Sequence, residues 1–315
     1  MRVLITGGRG YIGSSLLRHL TTAGGFSGTI ASRVPQTLTD LPQDWCAATI
    51  DWTDPGQLLR LCRDHEAIVH LAAGGEAEGE ADPEAALRET GLATLRLVEA
   101  AARANIRRLV SLSTAKVYGQ NPAGVVDEST VPRPITAYAI THRLAEDYVL
   151  AAHDRKRLTG VVLRLSNAIG PPPSDTSSAW TTLCCDLCRQ ATTRGRIVLT
   201  GTGEAWRNLI AMNEVARAIN HVLTLDQATL GDGLFNLGGP HCEQIIKLAG
   251  RVARRCEAVL GHRPEIERPA GIGAGTNPAV KLDYRSDRLA VTGFVAADLT
   301  DAAIDATLRC PPPGV

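Results

Sequence analysis

Apolar positions fall into short runs separated by longer amphipathic stretches, and the two kinds alternate through the first half of the chain. Residues 2–6, Arg2-Val3-Leu4-Ile5-Thr6, form the first run, and residues 14–20 follow with Leu16, Leu17 and Leu20 at helical spacing. Further runs at 28–32, 47–50, 67–71, 108–113 and 160–165 read as strands with helices between them. This alternation predicts an α/β fold, a doubly wound parallel sheet covered on both faces, with ligands outside the carboxyl ends of its strands. After Gly170 the pattern changes. Pro171-Pro172-Pro173-Ser174-Asp175 is a break, beyond which helices at 213–225 and 241–260 mix with short strands at 197–199 and 234–237. Residues 269–278 read as a Gly/Pro-rich loop and the prolines near the carboxyl end as a frayed tail.

Between the first strand and the first helix lies Gly7-Gly8-Arg9-Gly10-Tyr11-Ile12-Gly13. Glycines at 7, 10 and 13 let the backbone turn sharply, approach a pyrophosphate closely and present helix-terminal amides to an anion. In this strand–turn–helix setting the motif predicts a Rossmann-like dinucleotide-binding part over residues 1–170. Residues 171–315 are left as a smaller, mainly substrate-binding α/β part interleaved with the last sheet strands.

Lys and Arg together equal Asp and Glu, so the formal charge is zero, and no basic stripe points to nucleic acid or to a membrane surface. A first strand from residue 2, and no apolar stretch of bilayer length, lead to an expected cytoplasmic location. The 8 cysteines are scattered and read as thiols; Cys184, Cys185 and Cys188 read as a helix face, not a zinc site, so no metal is expected.

The Gly-x-x-Gly-x-x-Gly spacing, with Ser113-Thr114-Ala115-Lys116-Val117-Tyr118-Gly119 and then Tyr138, resembles the extended short-chain dehydrogenase/reductase family acting on nucleotide sugars. The resemblance runs through almost the whole chain. His70-Leu71-Ala72-Ala73 is similar to the fourth-strand end beside the cofactor, and Asp51 and Trp52 resemble the pair at the adenine edge. Asp51 also fits a plain helix cap, as does Asp54 before Pro55. The resemblance makes Gly7, Gly10, Tyr11, Ile12, Gly13, Leu71, Ala72 and Ala73 cofactor-binding, and implies a homodimer.

At the end of the second strand stand Ser32 and Arg33, with no carboxylate until Asp40. An arginine fork matches a 2′-phosphate, so NADP(H) is favoured and NAD(H) remains possible.

By resemblance Tyr138 is the proton donor or acceptor, Thr114 polarises the sugar oxygen, and Ser113 supports it as a second substrate-side hydroxyl. One turn after Tyr138 the family's lysine is replaced by His142, which can hold ribose hydroxyls but carries charge only if its pKa is kept high. Activity is then expected to fall at alkaline pH. Ala115 and Lys116 replace the Asp-Glu pair of the family's dehydratases, which disfavours water elimination. Lys116 either faces the substrate, lending charge, or is a surface lysine. Asn167, in Arg164-Leu165-Ser166-Asn167, and Arg207 resemble the family's diphosphate clamp. Thr90 and Asn213 depart from the family's asparagine and aspartate. The expected activity is NADPH-dependent reduction of a nucleotide-diphosphate sugar at a keto group, with an NAD-retaining 4-epimerase as the alternative and a weakly catalytic nucleotide-binding protein as a third.

Overall fold

The computed structural model describes residues 1–34, 41–173, 177–269 and 280–310. Asp40, Ser174 and Asp175, the 269–278 stretch beyond Pro269, and the terminal prolines lie outside the described residues. The strands are β1 (Arg2–Thr6), β2 (Ser27–Ser32), β3 (Trp45–Thr49), β4 (Ala67–His70), β5 (Arg108–Thr114), β6 (Gly124–Val126) and β7 (Thr159–Leu165). Then come β8 (Asn167–Ile169), β9 (Arg196–Val198), β10 (Trp206–Ala211), β11 (Leu234–Leu237), β12 (His241–Gln244), β13 (Glu265–Glu267) and β14 (Leu282–Tyr284).

Seven of them form one sheet in the order β11-β7-β5-β4-β1-β2-β3, with every neighbouring pair parallel. Parallel neighbours need crossover helices, which explains the alternation of short runs and amphipathic stretches. Val3 and Ile5 face one layer with Leu16 and Leu20 of α1 (Tyr11–Ala23), while Leu4 faces the other with Leu58 and Leu97. These last two belong to α2 (Pro55–Arg63) and to a long helix that begins irregularly: α3 (Glu76–Ala81), α4 (Pro83–Ala86), a π-helical turn at Leu87–Leu92, then α5 (Ala93–Arg103). The second layer is completed by α6 (Ala137–Asp154), through Val149 and Ala152. The order of strands reverses between β1 and β4, and at such a reversal the crevice outside the strand ends takes the ligand.

Beyond residue 170 the chain adds α7 (Leu183–Arg194), α8 (Met212–Thr224) and α9 (Ile245–Leu260). The first and third close a separate apolar cluster with Ile197, Leu209 and Ile304, whereas α8 returns to the main sheet and packs Val215, Ile219 and Val222 beside α1. Strands β12, β10 and β8 form a small mixed sheet, which corrects the expected helix over 241–260. Residues His241–Gln244 pair antiparallel with Trp206–Leu209, so their backbone bonds go to a neighbouring strand and the helix begins at Ile245. A helical pattern cannot announce that, because the partner strand lies more than thirty residues away in sequence.

Candidate active site

The carboxyl end of β1 carries the glycine turn into α1. Gly7 has φ +70°, and a Cβ there would lie 2.7 Å from the Ala72 nitrogen, so the turn presses against the chain leaving β4. A Cβ on Gly13 would meet the Gly7 carbonyl oxygen at 2.5 Å, and Gly10 at the amino end of α1 carries no side-chain cap. These positions, with Leu71, Ala72 and Ala73 alongside, make a cradle of close backbone and helix-terminal amides that fits a pyrophosphate. The Tyr11 hydroxyl points away from that turn and donates to the Gly170 carbonyl at 2.6 Å, while Ile12 packs into the core. Gly13→Ala should therefore destabilise the fold by roughly 1–3 kcal/mol through overpacking and abolish dinucleotide binding, as read by urea unfolding and ligand titration.

A line of buried polar groups runs beneath the crevice. The Thr6 hydroxyl meets His70 Nδ1 at 2.7 Å, His70 Nε2 meets the Thr94 hydroxyl at 3.0 Å, and Thr94 donates to the Thr90 carbonyl at 2.6 Å. Thr90, inside the π-turn, accepts from the Gly74 amide at 3.2 Å. His142 is buried next to this line, and its Nε2 has no hydrogen-bond partner. An orphaned buried nitrogen one turn from Tyr138 is the second feature that fits a cofactor, since a ribose hydroxyl there would satisfy it. Burial pushes the His142 pKa down to about 4, and burial followed by the nearby His142 does the same for His70. His142 is thus a neutral hydrogen-bonding group at neutral pH, which corrects the expectation of alkaline inactivation through loss of its charge.

Both folded pKa values, about 4, lie below the ordinary 6.5, so the unfolded chain takes up protons first as pH falls. Stability is full above 6.5 and should be lost towards 4, by ~1.4 kcal/mol per pH unit for each histidine. Calorimetry of the cofactor-free protein should show that decline, flattened in His142→Gln.

Tyr138 is held where α6 begins, after the Thr136 hydroxyl caps the Ala139 amide at 3.2 Å. Its ring meets the His142 ring edge-on at 4.4 Å between centroids. Burial pushes the phenol up to about 12, a Thr114 hydrogen bond opposes this, and the Glu76 carboxylate adds to it. Thr114, at the end of β5, and Tyr138 are therefore brought together as the sequence implied. Lys116, in the 3-10 turn Ala115–Tyr118, lies 5.9 Å from the Tyr138 ring centre. Its ammonium is ion-paired with Glu76, a residue the sequence reading did not single out. Glu76 stands at the start of α3, an acidic stretch that looks like solvated surface until it folds over the site.

The Ser113 hydroxyl turns the other way. It donates to Glu146 Oε1 at 2.6 Å, inside a buried network in which Arg164 binds Glu146 through Nε at 3.0 Å and Nη2 at 2.7 Å. Arg164 also donates to the Tyr118 hydroxyl at 2.8 Å, and Tyr118 to Asn236 Oδ1 at 2.8 Å. The Ser113 hydroxyl thus serves to join β5 to α6. The signal for Glu146 was present: with Tyr138 and His142 it occupies every fourth position along one helix face, and a carboxylate there needs a buried partner.

At the outer end of the crevice the Ser32 hydroxyl donates to the Val34 carbonyl at 2.8 Å, and Arg33 is ion-paired with Glu89 of the π-turn. Asp51 accepts from the Thr53 amide and hydroxyl, both at 2.7 Å, while Asp54 caps α2. Trp52 meets the His70 ring edge-on at 5.8 Å. Asn167 in β8 pairs with Leu209 in β10, two residues from Arg207. The Asn167 amide donates to the Asn208 carbonyl at 3.0 Å; Arg207 donates to the Trp206 carbonyl at 2.8 Å and to Asn121 at 3.1 Å. Burial lowers the Arg207 pKa and the Glu76 charge raises it, so Arg207 and Tyr138 share one acidic neighbour.

Residues 3–238 match the model of the NAD dependent epimerase/dehydratase family. The chain is 29% identical over 286 residues to a dTDP-glucose 4,6-dehydratase of Streptomyces niveus, covering 84% of this chain and 81% of that protein. It is 30% identical over 253 residues to a UDP-glucose 4-epimerase of Azospirillum brasilense, covering 75% and 72%. The fold matches that of MoeE5 in complex with UDP-glucose and NAD with a TM-score of 0.79, at 25% identity and 98% coverage of both chains. No described helix is long and apolar enough to cross a membrane. With the glycine turn, the strand order and the Thr114–Tyr138 pairing in place, the chain belongs to the NAD dependent epimerase/dehydratase family of Rossmann-fold enzymes.

Proposed function

We propose that the protein reduces a keto group, at C4, of a nucleotide-diphosphate (deoxy)sugar, with NADPH as the favoured reductant. The observation that carries this reading is the surroundings of Tyr138. The two side chains placed to charge its environment are a neutral buried imidazole and an ammonium already paired with Glu76. A phenol near 12 is ionised in only about one molecule in 10⁵ at pH 7, so it is a poor base for removing a proton from a carbinol. It remains a stronger acid than the carbinol whose oxygen it protonates, and that suits the reductive direction.

A nicotinamide cofactor held by the turn of Gly7, Gly10 and Gly13 would supply the hydride for the carbonyl carbon. Tyr138 donates its phenolic proton to the carbonyl oxygen, completing the carbinol, and solvent restores that proton. Thr114 holds the same oxygen through a hydrogen bond, and His142 keeps the cofactor ribose in place. Asn167 and Arg207 hold the diphosphate, a neutral donor beside a planar cationic fork. In this reading residues 1–170 carry the cofactor and residues 171–315 mainly the nucleotide sugar. Ala115 and Lys116 stand where the family's dehydratases place their proton-moving carboxylates, which argues against water elimination. The likeness to a UDP-glucose 4-epimerase over 75% of the chain supports, as a second reading, a 4-epimerase that retains NAD.

The test begins by denaturing the purified protein and identifying any released dinucleotide. Emptied protein is then incubated with NADPH and a nucleotide-linked 4-keto-6-deoxy sugar. Stoichiometric loss of reduced nicotinamide supports the reductase. Retained NAD, with interconversion of nucleotide hexoses and no net redox change, overturns it in favour of the epimerase.

A further inference from the structure

Arg33 directly follows β2, Gly74 lies in the chain beyond β4, and β1 with its glycine turn lies between those two strands in the sheet. Glu89 spans that gap. One carboxylate oxygen is ion-paired with the Arg33 guanidinium, and the other stands 3.7 Å from where a Cβ on Gly74 would lie. The residue is placed there by the π-helical turn Leu87–Leu92, whose next side chain, Thr90, is tied to the Gly74 amide at 3.2 Å. Wide turns of this kind recur at functional sites because they aim a side chain that a regular helix would not.

The ribose 2′-position of a bound dinucleotide comes to the end of the second strand, where a carboxylate accepts from a 2′-hydroxyl and an arginine binds a 2′-phosphate. Here both groups are present, from different elements, and paired with each other. We propose that Glu89 is a cofactor-specificity residue: reaching in from the helix, it pairs with Arg33 and so weakens, without removing, the preference for a 2′-phosphate that Arg33 gives. This deepens the reading of Arg33 as the 2′-phosphate ligand and rests on it.

The pair is half-exposed, 57% for the Arg33 side chain and 38% for Glu89, so it is weak enough for a phosphate to displace. Breaking it, and removing the like charge from a 2′-phosphate, should change relative affinity by about fivefold or more. The experiment is a direct titration of NADPH and NADH, by nicotinamide fluorescence, against the emptied wild-type protein, Glu89→Gln and Arg33→Ala. The expected result is a rise of about fivefold or more in the NADPH-to-NADH affinity ratio for Glu89→Gln and a fall for Arg33→Ala. An unchanged ratio in Glu89→Gln with a fall in Arg33→Ala overturns the role of Glu89 alone. An unchanged ratio in both variants overturns Arg33 as well, and binding of neither dinucleotide to the wild type overturns the site.

Discussion

Tyr138→Phe is expected to lower the turnover rate by roughly 10²–10⁴-fold while leaving dinucleotide affinity nearly unchanged. The substitution removes one oxygen and keeps the ring that packs edge-on against His142, so the wall of the cofactor crevice is preserved. In the proposed reaction the lost group is the proton donor, and without it the proton would have to come from water while the barrier rises. Single-turnover mixing of pre-bound protein with a keto sugar separates the two effects: the chemical step slows and the binding titration does not move. A rate unchanged from wild type would mean that Tyr138 has no part in chemistry, and dinucleotide binding with no turnover in either protein would favour a nucleotide-binding protein. Because the phenol is pushed up to about 12, the wild-type rate should also stay level through mildly alkaline pH, where a group titrating near neutrality would already have cut it.

Glu146→Ala is expected to give the largest loss of stability, about 3–5 kcal/mol. Both partners of the Glu146–Arg164 pair are 1% exposed, so truncating one leaves a buried guanidinium without its counter-charge. The Ser113 hydroxyl would lose its acceptor as well. Urea unfolding measures this loss, and the double replacement Glu146→Leu with Arg164→Met should recover part of it, since the cost lies in the orphaned charge and not in the missing bond. The network ties β5, which ends at Thr114, to α6, whose second residue is Tyr138. A double mutant that recovers stability but not rate would show that the ion pair sets the spacing of the Thr114 and Tyr138 hydroxyls. Recovery of both would leave it a purely structural device.

Most of the sheet was legible in the chain. The runs at 28–32, 108–113 and 160–165 fall within a residue or so of the observed strands, because a parallel strand buried on both faces must be apolar at nearly every position. Errors fell where a partner distant in sequence decided the conformation, as at His241–Gln244, or where a buried side chain extended an element, as Trp45 does for β3. The π-turn was invisible for the same reason: its residues suit any helix, and only packing around Thr90 and Gly91 selects the wider turn.

What the sequence determined by itself was the order of elements, the glycine turn and the Thr114–Tyr138 pair, for these rest on local geometry and fixed spacing. Tertiary structure decided the electrical state of the site. His142 is neutral because folding removes it from water, Lys116 and Arg33 are held by Glu76 and Glu89, and Ser113 is claimed by Glu146. Desolvation and ion pairing depend on which surfaces meet in space, and the partners here come from helices separated from their targets by 33 to 56 residues in the chain.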